Sequence, residues 1–313
     1  MDTTKKLMTL LLAIVLPVTI FALPPTNYDN YEFEVDGIYY KIESDVACVT
    51  YQRYESGMHL SDYHGDVVIP SSVTYQGKTY PVKTIDFSAF NYCQGLRSIT
   101  IPESITTIRD NAFWLCTGLT RVNITDIDAW CKIMMGNANP LIYAHHLYLN
   151  GTEVTDVTIP DGITAISNYA FDCCEGLISL TIPSSVISIG NNAFENCFGL
   201  KIITCKAMTP PTVGYVNFNG SSSLTVYVPA EAITDYQNAP VWGNFDIQPI
   251  PNQPGDVNGD GEINIADANS VIDIVIMGGN GGHTRMPADD VNNDGEVNIG
   301  DVNFIINIII GNY

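Results

Sequence analysis

The clearest feature of this chain is a short apolar pattern that returns along its middle part. After a leucine, apolar side chains occupy alternating positions and a proline follows directly, as in Leu96, Ile99, Ile101 and Pro102. A period of two places the apolar side chains on one face of a β-strand, and proline ends the strand because it cannot donate to the ladder. A second apolar pair follows each proline. The pattern therefore predicts coils with short strands and an apolar interior.

The pattern also has a fixed length. An Ala-Phe pair recurs at Phe90, Phe113, Phe171 and Phe194, so the steps are 23, 58 and 23 residues. The long step leaves room for one additional coil of 35 residues. A period in the twenties is typical of solenoids, in which each coil buries its apolar face against its neighbours. We therefore expect stacked coils whose strands run parallel.

The repeating unit I-x-x-x-A-F-x-x-C-x-x-L-x-x-I-x-I-P resembles the BspA-like leucine-rich repeats of bacterial surface proteins. The resemblance covers roughly residues 64 to 210, and the long coil around Trp130 resembles an insert common in that family. It implies a β-rich leucine-rich-repeat solenoid, with parallel strands and short helical or irregular turns.

The ends of a solenoid require caps, since open ends expose the core and the strand edges. We expect a β cap over residues 23–63, the solenoid with its long inserted coil over 64–222, and a closing cap over 223–248. The proline-rich segment 249–254 predicts a stiff linker. The composition changes after it, so residues 255–313 are expected to form a separate small domain.

This C-terminal segment is strongly acidic. The whole chain has a formal net charge of −21, which repels nucleic-acid phosphates and anionic lipid, so we expect no nucleic-acid partner. Residues 255–313 alone contain ten acidic residues against one basic residue, Arg285. A divalent cation is the partner that such a segment favours.

Two twelve-residue segments in this region have the spacing of calcium loops. Such loops need oxygen ligands at alternating positions, a glycine at position 6 and a backbone carbonyl at position 7. Both segments meet these demands, and Glu262 and Glu296 contribute the carbonyl of position 7. We therefore predict two Ca²⁺ ions. The side-chain ligands are Asp256, Asn258, Asp260, Asn264 and Asp267 in the first loop and Asp290, Asn292, Asp294, Asn298 and Asp301 in the second.

The aspartates at position 12, with a single helix after each loop, resemble the duplicated F-hand of type I dockerins. The resemblance implies a small α-helical calcium-binding domain and a cohesin-like partner. Dockerins often have a Ser-Thr pair at positions 10 and 11, which this chain lacks, so the identity of the partner does not carry over. The predicted partner surface is apolar and consists of Ile265, Ala266, Ile299 and Gly300.

The N-terminus predicts export. Lys5 and Lys6 precede an apolar run from Leu7 to Ala22, as in a cleaved signal peptide over residues 1–22. A membrane-spanning helix is the competing interpretation, but the run is shorter than the ~20 residues that a span needs, and Pro17 interrupts it. We expect a secreted or cell-surface protein without a transmembrane segment in the mature chain.

Four of the eight cysteines occupy one position in successive coils: Cys93, Cys116, Cys174 and Cys197. Neighbouring strands lie ~4.8 Å apart, within disulfide range, yet equivalent side chains point in the same direction. We expect a ladder of buried free thiols, with disulfides as the alternative.

A polar row on the open strand face is the candidate ligand strip. It consists of Thr100, Asn123, Thr158, Thr181 and Thr204. Threonine also suits an exposed strand position without any ligand. The row offers neither a facing pair of carboxylates nor a nucleophile with its base, so we expect no enzyme.

Together these features predict an exported, non-catalytic adhesion or recognition protein. Its solenoid would bind a host or matrix protein, and its dockerin-like domain would dock onto a cohesin. The first alternative is a non-catalytic component of a polysaccharide-degrading complex that binds glycan. A glycoside hydrolase is the less favoured alternative, because the acidic residues fall into the calcium pattern.

Overall fold

The structure, a computed structural model, describes residues 30–219, 223–251, 255–258, 263–276, 289–293 and 296–310. The predicted signal peptide lies outside these residues, as do residues 252–254 of the predicted linker. In chain order the strands are β1 Phe33–Val35, β2 Ile38–Glu43, β3 Val46–Val49, β4 Arg53–Glu55, β5 Met58–Leu60, β6 Gly65–Val68, β7 Ser72–Tyr75, β8 Lys78–Ile85, β9 Leu96–Ile101, β10 Thr107–Ile108, β11 Arg121–Ile124, β12 Met134–Met135, β13 Leu147–Leu149, β14 Thr152–Glu153, β15 Asp156–Thr158, β16 Ala165–Ile166, β17 Ser179–Ile182, β18 Ser188–Ile189, β19 Ile202–Cys205, β20 Thr212–Val213, β21 Thr225–Val228 and β22 Asp246–Pro249. The α-helices are α1 Ile127–Lys132, α2 Leu141–Ala144, α3 Ile233–Asn238, α4 Ile265–Ile276 and α5 Ile299–Ile309.

The N-terminal segment is built from antiparallel hairpins. β2 pairs antiparallel with β1 and with β3, while β4 and β5 form a separate hairpin. β8 is the connecting strand: it pairs antiparallel with β7, but parallel with β3 on one side and with β10 on the other. The antiparallel region, for which a β cap is predicted, is thereby continuous with the parallel repeat.

One side of the solenoid has two five-stranded sheets in succession. The first has the order β6-β9-β11-β13 in parallel and ends with the antiparallel strand β14; the second, β15-β17-β19-β21-β22, is parallel throughout. Equivalent apolar residues lie opposite one another, as Ile99 does to Val122 and Leu180 to Ile203. These side chains are buried, and their neighbours in sequence face outward. The predicted parallel stack is confirmed.

Away from the five-stranded sheets, the strands of the coils are shorter. The end of β8 and the two-residue strands β10 and β12 form one ladder, and the two-residue strands β16, β18 and β20 form another. The last residue of the second apolar pair lies in these strands at Ile108, Ile166 and Ile189. The Ala-Phe segment is irregular, yet it pairs from coil to coil, because Phe90 N–H donates to the Ala112 carbonyl and Phe171 N–H to the Ala193 carbonyl, both at 2.8 Å. These bonds satisfy the backbone groups of the turns.

The long inserted coil separates the two five-stranded sheets. Its helix α1 buries Trp130, whose indole N–H donates to the Ala170 carbonyl at 2.9 Å. The chain then reverses at β13 and β14, where Asn150 and Gly151 both have positive φ, as a tight hairpin turn requires. Because β14 runs antiparallel, the first sheet ends there and the second begins at β15.

Stacked rings and thiols fill the interior. The centroids of Phe90 and Phe113 are 4.9 Å apart, and those of Phe171 and Phe194 are 5.2 Å apart. The Cys116 thiol donates to the Phe90 carbonyl of the preceding coil at 3.0 Å. All eight cysteines are free thiols, as the favoured interpretation predicts. Burial raises the pKa of the Cys93 thiol to about 12, so it stays neutral and unreactive.

The region with the predicted closing cap continues the solenoid by further strands. β21 and β22 extend the second sheet in parallel, and α3 belongs to the segment of chain that connects these two strands. Trp242 and Tyr236 are buried there, and they donate to the carbonyls of Pro211 and Ala207, each at 2.8 Å. Two large side chains therefore cover this end of the apolar interior.

The C-terminal domain has its own small core. The helices α4 and α5 pack against each other, and each begins at position 10 of a predicted calcium loop. The buried residues of this core are Ala268, Val271, Val291, Val302 and Ile305. The apolar core of this domain is therefore small among the residues that the structure describes.

Candidate metal centre and docking surface

The calcium-loop residues begin both helices of the C-terminal domain. At α5, the Asn298 side chain accepts from Gly300 N–H at 2.7 Å, and the Asp301 side chain accepts from Asn298 N–H at 2.8 Å, which together make a capping box. At α4, Asn264 and Asp267 make the same two bonds, both at 2.8 Å. Positions 9 and 12 of each loop are thereby fixed by the helix that follows.

The carboxylates at position 12 close the loops. Asp267 is fully buried, and its Oδ1 accepts from the backbone N–H groups of Val257 and Asn258 at 2.7 and 3.1 Å. Asp301 is equally buried, and its Oδ1 accepts from Val291 and Asn292 at 2.9 and 3.2 Å. The last residue of each loop therefore lies against its second and third residues.

This arrangement fits a calcium ion. Asp256 at position 1 is buried, Asn258 and Asn264 are half-buried, and the backbone N–H groups of Asn258 and Asn264 donate to the carboxylate of Asp267. Glu296 at position 7 is exposed, as expected where the carbonyl is the ligand. Asp260, Glu262 and Asp294 lie outside the described residues. Within the described part, no three His, Cys, Asp or Glu side chains are gathered as a metal-binding group.

The predicted partner residues lie at the start of both helices. Ile265 is 62% exposed and Ile299 is 61% exposed, so the two repeats present nearly equal apolar side chains. Ala266 is exposed as well, whereas Gly300 is half-buried. A Cβ at Gly300 would lie 3.0 Å from side-chain atoms of Asn292 and Asn298. The second loop therefore favours glycine at position 11, where the first tolerates alanine.

The predicted ligand strip is divided between the two sheets, so the expectation of a single row is corrected. Thr100 lies opposite Asn123 in the first sheet, and Thr158, Thr181 and Thr204 lie side by side in the second. The division occurs because the antiparallel strand β14 ends the first sheet. Each row continues to a tyrosine: Asn123 lies opposite Tyr148, and Thr204 opposite Tyr227.

A second outward-facing row escaped the sequence analysis. The Ser98 hydroxyl donates to Asp66 Oδ1 at 2.7 Å, and the Ser179 hydroxyl donates to Asp156 Oδ1 at 2.5 Å. The guanidinium of Arg121 lies 4.3 Å from the centre of the Tyr148 ring. The signal for this row was present in the sequence, two residues before each member of the threonine row.

Comparison with known families agrees with both halves of the fold. The family described as BspA type leucine rich repeat region matches in six copies, over residues 67–131 and 144–247, which is more than half of the chain. The chain therefore belongs to the BspA-type leucine-rich-repeat proteins. Residues 254–310 match the dockerin type I domain, a class of domain that binds calcium. Both families are typically non-catalytic and typically extracellular or at the cell surface.

Several solved structures are similar to this chain. A leucine-rich cell surface protein from Faecalibacterium prausnitzii is 20% identical with a TM-score of 0.36, and the match covers 64% of this chain and 71% of that one. The leucine-rich repeat protein of T. pallidum is 20% identical with a TM-score of 0.37, covering 63% and 81%. A leucine-rich repeat protein from Bacteroides ovatus is 19% identical with a TM-score of 0.33, covering 63% and 71%.

None of the curated proteins matches the chain. Among the described residues, no helix is both long enough and apolar enough to cross a membrane.

Proposed function

We propose that this chain is an exported, non-catalytic recognition protein. Its solenoid binds an extracellular ligand, and its dockerin domain docks the chain, in a calcium-dependent manner, onto a cohesin-type partner. The proposed docking function rests on one observation: the buried residues Asp267 and Asp301 close the two loops through the same hydrogen bonds. Two ions, one for each loop, follow from the duplicated ligand set.

The loop residues would hold the ions through their oxygen atoms. In the first loop these are the side chains of Asp256, Asn258, Asp260, Asn264 and Asp267 and the carbonyl of Glu262, and the second loop repeats the set. Calcium supplies the positive charge that neutralises several carboxylates crowded into one turn. Asp267 and Asp301 link this charge to the helices, because each also accepts from the N-cap backbone. The loops thereby fix the position of Ile265 and Ile299.

The solenoid supports recognition better than catalysis. Burial raises the pKa of its cysteine thiols, which are therefore neutral, and Cys116 and Cys197 donate to backbone carbonyls inside the stack. Its outward-facing surface consists of extended sheets with polar side chains at repeated positions. Extended concave or flat surfaces of this kind are what repeat proteins use to bind large ligands. Export through a cleaved signal peptide would bring this surface to its ligand.

Binding to a panel of purified cohesin modules tests the docking half. We expect capture by a subset of the panel in calcium, and no capture with excess chelator. The double variant Ile265→Asp with Ile299→Asp should lose capture, because it places charge on the apolar surface while leaving all loop ligands in place. The matched control is Ile276→Asp, an exposed isoleucine at the far end of α4 that should leave capture unchanged. Equal capture by all variants would contradict the proposed surface.

A further inference from the structure

The outer faces of the two sheets share several side chains at equivalent positions. In each sheet the outward positions of the first four strands form two columns across the strands. The first sheet has Asp66, Ser98 and Arg121 in one column and Val68, Thr100, Asn123 and Tyr148 in the other. The second sheet has Asp156, Ser179, Ile202 and Thr225 in one column and Thr158, Thr181, Thr204 and Tyr227 in the other.

Four positions are chemically identical between the two faces. The Asp on the first strand accepts from the Ser on the second in both sheets, at 2.7 and 2.5 Å. A threonine, Thr100 or Thr181, stands beside the serine, and a tyrosine, Tyr148 or Tyr227, stands on the fourth strand. Three strand spacings and an offset of two residues along the strand place the aspartate and the tyrosine roughly 16 Å apart. Each face is thus an elongated, mostly polar surface with an aromatic ring on its fourth strand, where Glu153 lies opposite Tyr148 and Gln248 lies opposite Tyr227.

The main difference between the faces lies beside the tyrosine. Arg121 stands next to Tyr148 in the first sheet, with its guanidinium over the ring. The equivalent neighbour of Tyr227 is Ile202, which is partly exposed. Arg121 packs on one flank of the Tyr148 ring, and both Tyr148 and Tyr227 are half-buried. A ring held in this way offers a pre-ordered apolar surface at low entropic cost.

We propose that the two faces are two copies of one binding surface and that their ligand is a neutral polysaccharide. This inference rests on the proposed function, because it names the ligand class of the recognition half. Sugar rings have an apolar C–H side that packs on an aromatic ring, and hydroxyl groups that pair with carboxylate and hydroxyl side chains. Each face supplies all three groups within the length of a few sugar rings.

Charge argues for a neutral polymer. The second face has no cationic side chain among its paired positions, and Asp156 stands at its edge. An acidic polymer would meet that carboxylate and a chain whose net charge is −21. Repetition argues for a polymer, because a ligand with repeating units can occupy both faces at once. Engagement of two linked sites raises avidity by roughly 10²–10⁴ over one site.

Polymer binding by the full-length chain in calcium tests this inference. The probes are immobilised neutral xylan, β-glucan and α-glucan, with polygalacturonate as the acidic comparison and fibronectin as the protein comparison. We expect binding to at least one neutral polymer, and at least about 100-fold weaker binding to its free tetrasaccharide, which reaches only one face. Tyr148→Ala and Tyr227→Ala should each weaken polymer binding at least about 10-fold, and the double variant should abolish it.

The controls separate this inference from the proposed function. Tyr92→Ala removes an exposed tyrosine from the irregular side of the solenoid and should leave polymer binding unchanged. Each tyrosine variant should keep calcium-dependent cohesin capture and the thermal midpoint of its solenoid. Binding to fibronectin alone, or polymer binding that both tyrosine variants retain, would overturn the inference and leave the docking proposal standing. Loss of cohesin capture by the unmodified chain would instead contradict the proposed function.

Discussion

The solenoid and the C-terminal domain differ in the side chains that they bury. The solenoid has one continuous apolar core that extends from Phe33 to Ile247 and contains buried rings in most coils. The core of the C-terminal domain contains five buried apolar residues among those that the structure describes, and the carboxylates of Asp267 and Asp301 are buried as well. A buried carboxylate destabilises a fold unless hydrogen bonds and an opposite charge compensate for it.

This difference predicts that the stability of the two regions depends on different factors. The solenoid is stabilised by burial that is present in all ionic conditions. We expect the small C-terminal domain to gain stability from a bound ion, because the unfolded chain offers no preformed site. Under the proposed function, the surface that binds the ligand would stay folded while attachment to the partner depends on calcium.

The largest expected effect is on the C-terminal domain. Replacing Asp267 and Asp301 together by Ala removes the residue that closes each loop and caps each helix. We expect loss of the calcium-induced helical signal in circular dichroism and loss of cohesin capture. The control is Asp273→Ala, an exposed aspartate of α4 outside the loops, which should behave as the unmodified chain. A double variant that still gains helicity with calcium would contradict the loop assignment.

The next effect concerns the solenoid core. Phe113→Ala and Phe171→Ala each remove a fully buried ring that is stacked on the ring of a neighbouring coil. We expect a loss of about 3 to 5 kcal/mol in the free energy of unfolding, measured by chemical denaturation. Phe198→Ala, at an exposed phenylalanine, should change the midpoint little. Unchanged midpoints for both core variants would mean that the repeat register is wrong.

A smaller and pH-dependent effect is expected at Asp172. This side chain is 5% exposed, and burial raises its pKa from 3.8 to about 6. The folded state therefore holds its proton more tightly than the unfolded state, so the solenoid loses stability as the pH rises from about 4 to 6. Asp172→Asn should raise the free energy of unfolding by about 1 to 3 kcal/mol at neutral pH.

The sign of this effect gives its control. Below about pH 3 Asp172 is largely protonated in both the folded and the unfolded state, so the variant and the unmodified chain should have nearly equal denaturation midpoints. The neighbouring thiol of Cys173 still finds an acceptor in the asparagine, because it donates to Oδ1. A stabilisation of the same size at all pH values would show that ionisation of Asp172 is not the cause.

Much of the fold could be predicted because the repeat is written into the sequence. The period placed Phe90, Phe113, Phe171 and Phe194 in equivalent coils, and their rings stack in two pairs. The loop spacing likewise placed Asp267 and Asp301 at the end of each loop, where they lie buried against its start. Local spacing is enough in both cases, since neighbouring coils and loop ends repeat one short motif.

What the sequence did not reveal depends on contacts between distant residues. The hairpin at Asn150 and Gly151 has a turn signature, but only its antiparallel pairing shows that the first sheet ends there. Trp130 is buried, and its indole N–H donates a hydrogen bond to the carbonyl of Ala170, 40 residues away. The burial of Asp172, which raises its pKa, also depends on tertiary packing. A short repeating motif does not predict contacts between residues that are distant in the sequence.

Calorimetric unfolding of the full-length chain, in calcium and in excess chelator, tests the central claim most directly. The account predicts two transitions in calcium, one from the solenoid and one from the dockerin domain. In chelator, the transition of the dockerin domain should disappear, and that of the solenoid should keep its midpoint. The account would be contradicted by a dockerin transition that is equally stable without calcium, or by a solenoid transition that falls together with it.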